Sequence, residues 1–231
     1  MKNADDTVTA VWIMKLLAAK RNQKILFSPK PFADQAGNGL HHHILLRSLE
    51  TDKDVFYGGD DSPQSISKLC RHGIAGLLKY APDITAVFAA SNESFDRLQP
   101  GFEAPIRTSW GFSNRTALVR VPQDSNGDRT RFEYRGGDMS GSVHLFGAVL
   151  LAAVLKGIEL ELEPPPPIEF NAEHLSKEEL ADHEMTEVPL TFDECIKVLK
   201  ASDFLKNSLG EEMVDFLINR DQALASEHHF V

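Results

Sequence analysis

Charged residues alternate with apolar ones along residues 129–135, and this spacing strongly limits how the chain can fold. The charged positions are Arg129, Arg131, Glu133 and Arg135. Side chains of a β-strand alternate between its two faces, so these residues would all project from one face of a sheet. Residues 116–121 predict a second strand, and the intervening Asn126-Gly127 is a typical hairpin turn. The pattern therefore predicts a strand pair with one charged face.

Arginines are concentrated in this region of an otherwise acidic chain, whose formal net charge is −10. Arg115 and Arg120 add to the arginines of residues 129–135. A solvated strand face is one interpretation, but guanidinium groups in this number favour a site that holds phosphate or carboxylate bidentately. Glu133 among them would be available to a divalent cation.

A glycine-rich turn followed by three histidines forms a second feature, with the sequence AGNGLHHH at residues 36–43. The histidines lead into the apolar residues 44–46, which predict a buried strand. On a strand, His41 and His43 would point to one face and His42 to the other. A metal site and a polar strand face are both compatible with this pattern.

Composition limits the class of protein. The 231 residues suffice for one large domain, or for one domain with an appendage. The net negative charge argues against nonspecific binding to nucleic acid or to anionic membranes. Cys70 and Cys195 are the two cysteines, and without a CxxC motif or secretory signal they favour a reducing, cytoplasmic location. The longest apolar run, residues 143–155, is shorter than the roughly 18 residues of a membrane span.

Apolar spacing predicts the remaining elements in the first two thirds of the chain. An amphipathic helix is expected over residues 5–19, short strands over 24–27 and 55–57, and a helix that enters at Ser62-Pro63. His72 would lie beside the polar face of that helix. Residues 86–90 fit a buried helix or a buried strand.

The last third is predicted to be helical. Asp138 or Ser140 would cap a helix over residues 143–158 that is apolar nearly all round and therefore buried. The prolines at 164–167 would interrupt the chain. Thr191 and Glu194 match a capping box, and a further helix follows, with Gly210 within it.

Several motifs together resemble one family. The motifs are KP at 30–31, GNGLHHH at 37–43, RLQPGFEAP at 97–105, NRT at 114–116, RVP at 120–122 and RFEYR at 131–135. Their order and approximate spacing resemble the catalytic domain of glutamine synthetase, over nearly the whole chain. The resemblance implies an α+β fold with a curved antiparallel sheet, here incomplete, and packed helices. Residues 1–163 would form part of the catalytic domain, and 164–231 a proline linker and helical C-terminal appendage.

The resemblance also implies roles for individual residues. His41 and Glu133 resemble ligands of the metal ion that contacts the nucleotide phosphate, and His43 resembles the histidine near the phosphates. The residues expected beside the glutamate substrate are Gly37, Arg97 and Arg135. Those expected to hold phosphate or the transferring phosphoryl group are Arg115, Arg120 and Arg131. Glu103 resembles the glutamate of a mobile loop that closes over the site and takes a proton from ammonium.

These residue types suit the chemistry of the family. ATP phosphorylates the side-chain carboxylate of glutamate to γ-glutamyl phosphate, and ammonia then displaces phosphate. Mg²⁺ or Mn²⁺ and arginines would neutralise the charge that spreads during phosphoryl transfer. A closing loop would protect the acyl phosphate from water.

The chain also departs from the family. Further metal-binding glutamates and a small N-terminal sheet domain are expected upstream of the matched region. We therefore expect the lone chain to be inactive or nearly so, and to act as a homo-oligomer or with a partner chain that supplies the missing part. A noncatalytic structural fragment is the alternative.

The acceptor amine is the second open question. Ala36 replaces a common asparagine, and together with Trp110-Gly111 it resembles the branch that joins glutamate to amines or polyamines. Glu103 favours ammonia, because that branch often lacks this glutamate.

Overall fold

The computed structural model describes residues 1–60, 64–122 and 129–227, and its helices and strands form an α+β fold, as expected. The helices are α1 (Lys2–Ala19), α2 (Lys68–Lys79), α3 (Ala81–Phe88), α4 (Asn92–Arg97), α5 (Val143–Glu159), α6 (Lys177–Asp182), α7 (Phe192–Ala201), α8 (Asp203–Leu209) and α9 (Glu211–Glu227). The strands are β1 (His42–Ile44), β2 (Trp110–Phe112), β3 (Val119–Val121) and β4 (Phe132–Tyr134).

The strands form one sheet in the order β1-β4-β3-β2. The β1–β4 and β3–β4 pairs are antiparallel. The β3–β4 pair agrees with the predicted hairpin, although its turn at Asn126-Gly127 lies outside the described residues. β2 instead runs parallel to β3, so the sheet is mixed rather than wholly antiparallel. The chain turns back after β2 at Ser113, whose φ is 56° and whose N–H donates to the carbonyl of Val121.

One hydrophobic core underlies the sheet. Phe132 and Tyr134 of β4 are fully buried on its inner side. Helices α2 and α5 pack closely together over this side, and Gly76 meets Gly157 at their crossing. His72 on α2 is buried rather than beside a polar face, and its Nδ1 lies 2.6 Å from the carbonyl oxygen of Leu162.

The C-terminal helices belong to the same core. Side chains of α7, α8 and α9, among them Leu199, Leu205 and Leu217, are buried together with those of α3 and α5. The proline stretch is bound to β2, because the Trp110 indole donates to the carbonyl of Pro165 at 2.6 Å. A boundary at residue 164 stays a prediction.

Several elements predicted in the first part of the chain differ from those observed. Residues 24–27 form no strand, and residue 57 makes only an isolated bridge to Ile66. The cap of α2 is Ser67, whose hydroxyl accepts from Cys70 N–H, whereas the expected Ser62-Pro63 entry lies outside the described residues. Residues 86–90 lie largely in helix α3.

Helix α5 differs from its prediction at its cap and in its burial. Ser142 caps it, not Asp138 or Ser140, because the Asp138 carboxylate accepts hydrogen bonds from Ser140 instead. It is buried on one face only, and Leu151 and Leu155 remain 44% and 51% exposed.

The caps of α6, α7 and α8 agree only in part with the sequence predictions. Thr191 caps α7 by accepting from Glu194 N–H, but the Glu194 carboxylate accepts from Leu190 N–H, so the box is incomplete. A complete capping box occurs at Ser176 and Glu179 of α6, which the sequence analysis missed. The single helix expected around Gly210 is divided into α8 and α9, because Gly210, with a φ of 86°, ends α8.

Helix α1 is present as predicted, but it has no buried residue. Trp12 is 64% exposed, whereas Trp110 in β2 is 2% exposed. Among the helices in the described ranges, none combines the length and the hydropathy that a membrane crossing requires.

Candidate active site

The histidines divide between the two faces of β1, as predicted. His43 is paired with Glu133 across the β1–β4 ladder. His42 points to the core, where its ring packs edge-on against Phe146 at a centroid distance of 5.5 Å. His41 and His43 both approach Glu133 on the opposite face, so the alternation brings two imidazoles to one carboxylate.

Glu133 is the centre of the cluster and is only 2% exposed. Its Oε1 lies 2.8 Å from His41 Nδ1, and Arg120 Nε donates to its Oε2 at 2.5 Å. Arg135 approaches Oε1 at 3.4 Å. Burial alone would raise its pKa, but hydrogen bonds from His41 and Arg120 outweigh burial and lower the pKa to about 2. Glu133 is therefore a carboxylate anion at neutral pH.

His43 lies at the outer edge of this cluster. Its Nε2 is 3.9 Å from Glu133 Oε1, and Arg131 Nε donates to its Nδ1 at 3.3 Å. Burial lowers the pKa of His43; the Glu133 carboxylate opposes this effect, and the positive charges of Arg131 and Arg120 add to it. A neutral imidazole beside arginines is suited to the surroundings of an anionic phosphate.

The separation of His41 and Glu133 fits a shared metal ion. Adjacent ligands of an octahedral ion with bonds of about 2.1 Å lie about 3.0 Å apart, close to the observed 2.8 Å between Nδ1 and Oε1. No group of three or more potential ligands occurs among the described residues. The described part of the chain thus places two potential metal ligands, His41 and Glu133, next to each other.

Gly37 is packed against backbone, and Gly39 is packed against side chains of the site. A Cβ on Gly37 would lie 2.4 Å from the carbonyl oxygen of Pro29, and one on Gly39 would lie 2.7 Å from His41 Nε2. Asn38 between them donates its backbone N–H to Pro29 and its side-chain amide to Ser28, both at 2.8 Å. The glycine turn is thereby held against residues 28–29.

Arg97 is buried beneath this turn, with 2% of its surface exposed. Its guanidinium donates to the carbonyls of Gly136 and Arg135 at 3.0 and 3.1 Å, and its Cγ lies below Gly37. Burial lowers the pKa of Arg97, against the effect of the nearby Asp138 carboxylate. Arg97 therefore supports the backbone of the site, and its expected contact with substrate stays a prediction.

Arg135 connects the other predicted residues. Its Nε donates to the carbonyl of Arg115 at 3.1 Å, and its Nη2 donates to the carbonyl of Glu103 at 3.4 Å. Arg135 is 4% exposed, whereas the side chains of Arg115 and Glu103 are exposed. Burial lowers the pKa of Arg135, and the carboxylates of Glu133 and Glu103 oppose that effect. The Arg135 guanidinium thus connects the Glu133 carboxylate to the backbone of Glu103.

Glu103 lies at the tip of a loop between two buried residues, Leu98 and Ala104. Its φ is 55°, a left-handed conformation that is uncommon for glutamate. The Lys30 ammonium lies 3.3 Å from the centre of the neighbouring Phe102 ring. The KP motif and the loop motif are therefore in contact.

Two residues of this region were missed by the sequence analysis as part of the site. Asp138 was expected to be a helix cap, but it is 1% exposed and lies close to Arg97. The Glu173 carboxylate accepts a hydrogen bond from Glu103 N–H at 3.0 Å. Neither residue has a local sequence signal that could have identified this role.

Comparison with known proteins identifies the family of this chain. The family model of the glutamine synthetase catalytic domain matches residues 1–227. A glutamine synthetase of Thermotoga maritima is 37% identical over 215 residues, which make up 93% of this chain and 48% of the relative. A glutamine synthetase of Thermus thermophilus is 34% identical over 222 residues, 96% of this chain and 49% of the relative. The chain spans about half the length of the curated relatives it matches.

Solved structures of GmaS resemble this chain over nearly its whole length. Apo GmaS without ligand superposes with a TM-score of 0.80 at 26% identity, over 99% of this chain and 51% of the other. A GmaS/ADP complex superposes with a TM-score of 0.80 at 25% identity, over 98% of this chain and 51% of the other.

Fold and site together describe an α+β domain in which a carboxylate–histidine pair is surrounded by arginines. The chain belongs to the glutamine synthetase family. Members of this family depend on ATP and on a divalent metal ion.

Proposed function

We propose that this chain is the part of an ATP-dependent ligase that joins glutamate to ammonia through γ-glutamyl phosphate. The observation that supports this most directly is the Glu133 cluster, in which a buried carboxylate, two histidines and arginines converge on one face of the sheet. Phosphoryl transfer needs this combination of metal ligands and fixed positive charge.

Within this proposal His41 and Glu133 hold a Mg²⁺ or Mn²⁺ ion, which neutralises phosphate charge when it is bound. Their observed separation suits two adjacent ligands of one ion. His43, Arg120 and Arg131 contact the nucleotide phosphates. Arg120 is bound to Glu133 in this structure, so phosphate and Glu133 would compete for its guanidinium.

In this proposal the remaining residues act on glutamate, on the phosphoryl group and on ammonium. Arg135 and Arg97 hold the carboxylates of glutamate beside Gly37, and Arg115 stabilises the phosphoryl group in transfer. Glu103 accepts a proton from ammonium, which leaves ammonia as the nucleophile. Its exposed position on a loop suits a group that approaches substrate only when the site closes.

A ligase that uses an alkylamine or polyamine is the second candidate. Ala36, in place of a common asparagine, and the similarity to GmaS favour it. Glu103 favours ammonia, because the branch that uses amines often lacks this glutamate.

The remaining metal ligands are proposed to come from the other half of the catalytic domain, since the relatives are about twice as long. That half would be present on the same polypeptide or on a partner chain, within a homo-oligomer. A cytoplasmic location stays a prediction.

The test is product analysis on the chain joined to the upstream half of the catalytic domain. Glutamate, ATP and Mn²⁺ are supplied with ammonia, a monoamine or a diamine, and the γ-glutamyl product is identified by mass spectrometry. Glutamine as the main product supports the first candidate, and a substituted amide supports the second. A completed enzyme that binds ATP and Mn²⁺ but forms no amide would favour the noncatalytic alternative.

A further inference from the structure

Glu173 lies outside every motif considered so far, yet it binds the loop that contains Glu103. Its Oε1 accepts a hydrogen bond from Glu103 N–H at 3.0 Å, across 70 positions of sequence. The Glu173 residue is half-buried, so the contact is not between two freely solvated groups.

The segment around Glu173 is itself held in place by the body of the protein. Ala172 N–H donates to Thr116 Oγ1 at 3.2 Å, and the Ala172 carbonyl accepts from the buried Arg107 guanidinium. Asn171 accepts from Glu173 N–H at 2.8 Å and donates to its Oε2 at 3.4 Å. These bonds orient the carboxylate toward the loop.

Glu103 is bound on both sides of its Cα atom by charged side chains. Glu173 accepts from its N–H, and Arg135 donates to its carbonyl at 3.4 Å. Its backbone is left-handed, with a φ of 55°, which a glutamate adopts only when its surroundings compensate for the steric cost. The two contacts supply that compensation.

We infer that Glu173 is a positioning residue, which holds the tip of the Glu103 loop against the arginine cluster through its hydrogen bond to Glu103 N–H. Its importance for catalysis rests on the proposed function of Glu103. The hydrogen bond between Glu173 and Glu103 does not depend on that function, so the positioning role and the proposed function can be disproved independently of each other. Glu173 acts through Glu103: in the part of the chain that the structure describes, its hydrogen bonds are to Glu103 and Asn171.

Hydrogen–deuterium exchange of the peptide that covers residues 99–105 measures this contact without ATP, glutamate or metal. Glu173→Ala and Glu173→Met remove the acceptor oxygen, and methionine does so at nearly constant volume. Glu173→Gln keeps an acceptor. Glu169→Ala is the matched control, because it removes an exposed carboxylate from the same segment. The thermal unfolding midpoint of each variant shows whether it is folded.

Loss of one hydrogen bond of ordinary net strength corresponds to exchange about five- to tenfold faster. We expect this increase for Glu173→Ala and Glu173→Met, and exchange within about twofold of wild type for Glu173→Gln and for the control. Wild-type exchange in the alanine and methionine variants would overturn the inference. Exchange in Glu173→Gln or Glu169→Ala as fast as in Glu173→Ala would also overturn the inference, because loss of the acceptor oxygen would then not be the cause.

Discussion

Gly76 and Gly157 face each other where α2 crosses α5, and a Cβ on Gly76 would lie 2.9 Å from the Cα of Gly157. A Cβ on Gly157 would lie 2.2 Å from the carbonyl oxygen of His72. Backbone atoms cannot move away as a flexible side chain can. The two helices that support the sheet are therefore in direct backbone contact.

This contact predicts that Gly157→Ala lowers the free energy of unfolding by about 2–3 kcal/mol, the usual cost of overpacking. Gly147→Ala in the same helix is the control, because a Cβ there meets nothing within 4 Å. It should stabilise the protein by about 0.5–1 kcal/mol, since alanine is the better helix former. Urea denaturation measures both, and equal effects of the two variants would contradict the close crossing.

The opposite orientations of neighbouring histidines predict different effects on metal binding. His41→Ala should weaken Mn²⁺ binding at least about tenfold in the presence of ATP, because it removes a proposed ligand. His42→Leu should change it less than about twofold, since His42 packs against Phe146 in the core. Isothermal titration of the same preparations gives both values. A similar loss for both variants would contradict the assignment of faces.

The Glu133 cluster also predicts a stability effect that is independent of metal. Glu133→Ala leaves the buried Arg135 guanidinium without its carboxylate partner and should cost about 3 kcal/mol. Glu159→Ala removes the exposed ion pair with Lys156 and should cost at most about 0.5 kcal/mol. Denaturation in the presence of EDTA makes the comparison. A cost for Glu133→Ala as small as that of the control would show that the arginines are solvated without it.

Asp83 at the start of α3 predicts a pH-dependent effect. Burial raises its pKa, although Ser202 donates a hydrogen bond to it. A raised pKa in the folded state means that its contribution to stability is present at low pH and is lost as the pH rises through that pKa. Asp83→Asn keeps an acceptor for Ser202 without the charge, so it should stabilise the protein at pH 7 by up to about 1 kcal/mol.

The advantage of Asp83→Asn over wild type should shrink as the pH falls through the raised Asp83 pKa, and it should be gone below the ordinary aspartate pKa of about 3.9. Thermal unfolding between pH 3 and pH 7 measures it. An advantage that grows toward acid pH would show that the Asp83 pKa is lowered rather than raised.

Much of the site could be predicted because its signals are local. The alternation around Glu133 depends only on the geometry of a strand, and both the charged face and the buried Phe132 follow from it. The apolar spacing of α2 and α5 likewise identifies both helices from short segments.

What the sequence analysis missed depends on distant contacts. The apolar residues 24–27 suggest a strand, but no described strand pairs with them. The motif around Arg97 predicts contact with substrate, which stays a prediction, and only the structure shows that its guanidinium also donates to the carbonyls of residues 135 and 136. The partner of Glu103 is 70 positions away, beyond the reach of any periodic pattern.

The two tryptophans lie at opposite extremes of exposure, Trp12 on the uncovered helix α1 and Trp110 within the sheet. Their fluorescence therefore distinguishes unfolding from the covering of α1 without any added label. Trp110 emission reports loss of the fold, whereas Trp12 emission shifts to the blue when another protein surface covers α1. Trp12→Phe and Trp110→Phe assign the two signals, so assembly and unfolding can be followed in the same cuvette.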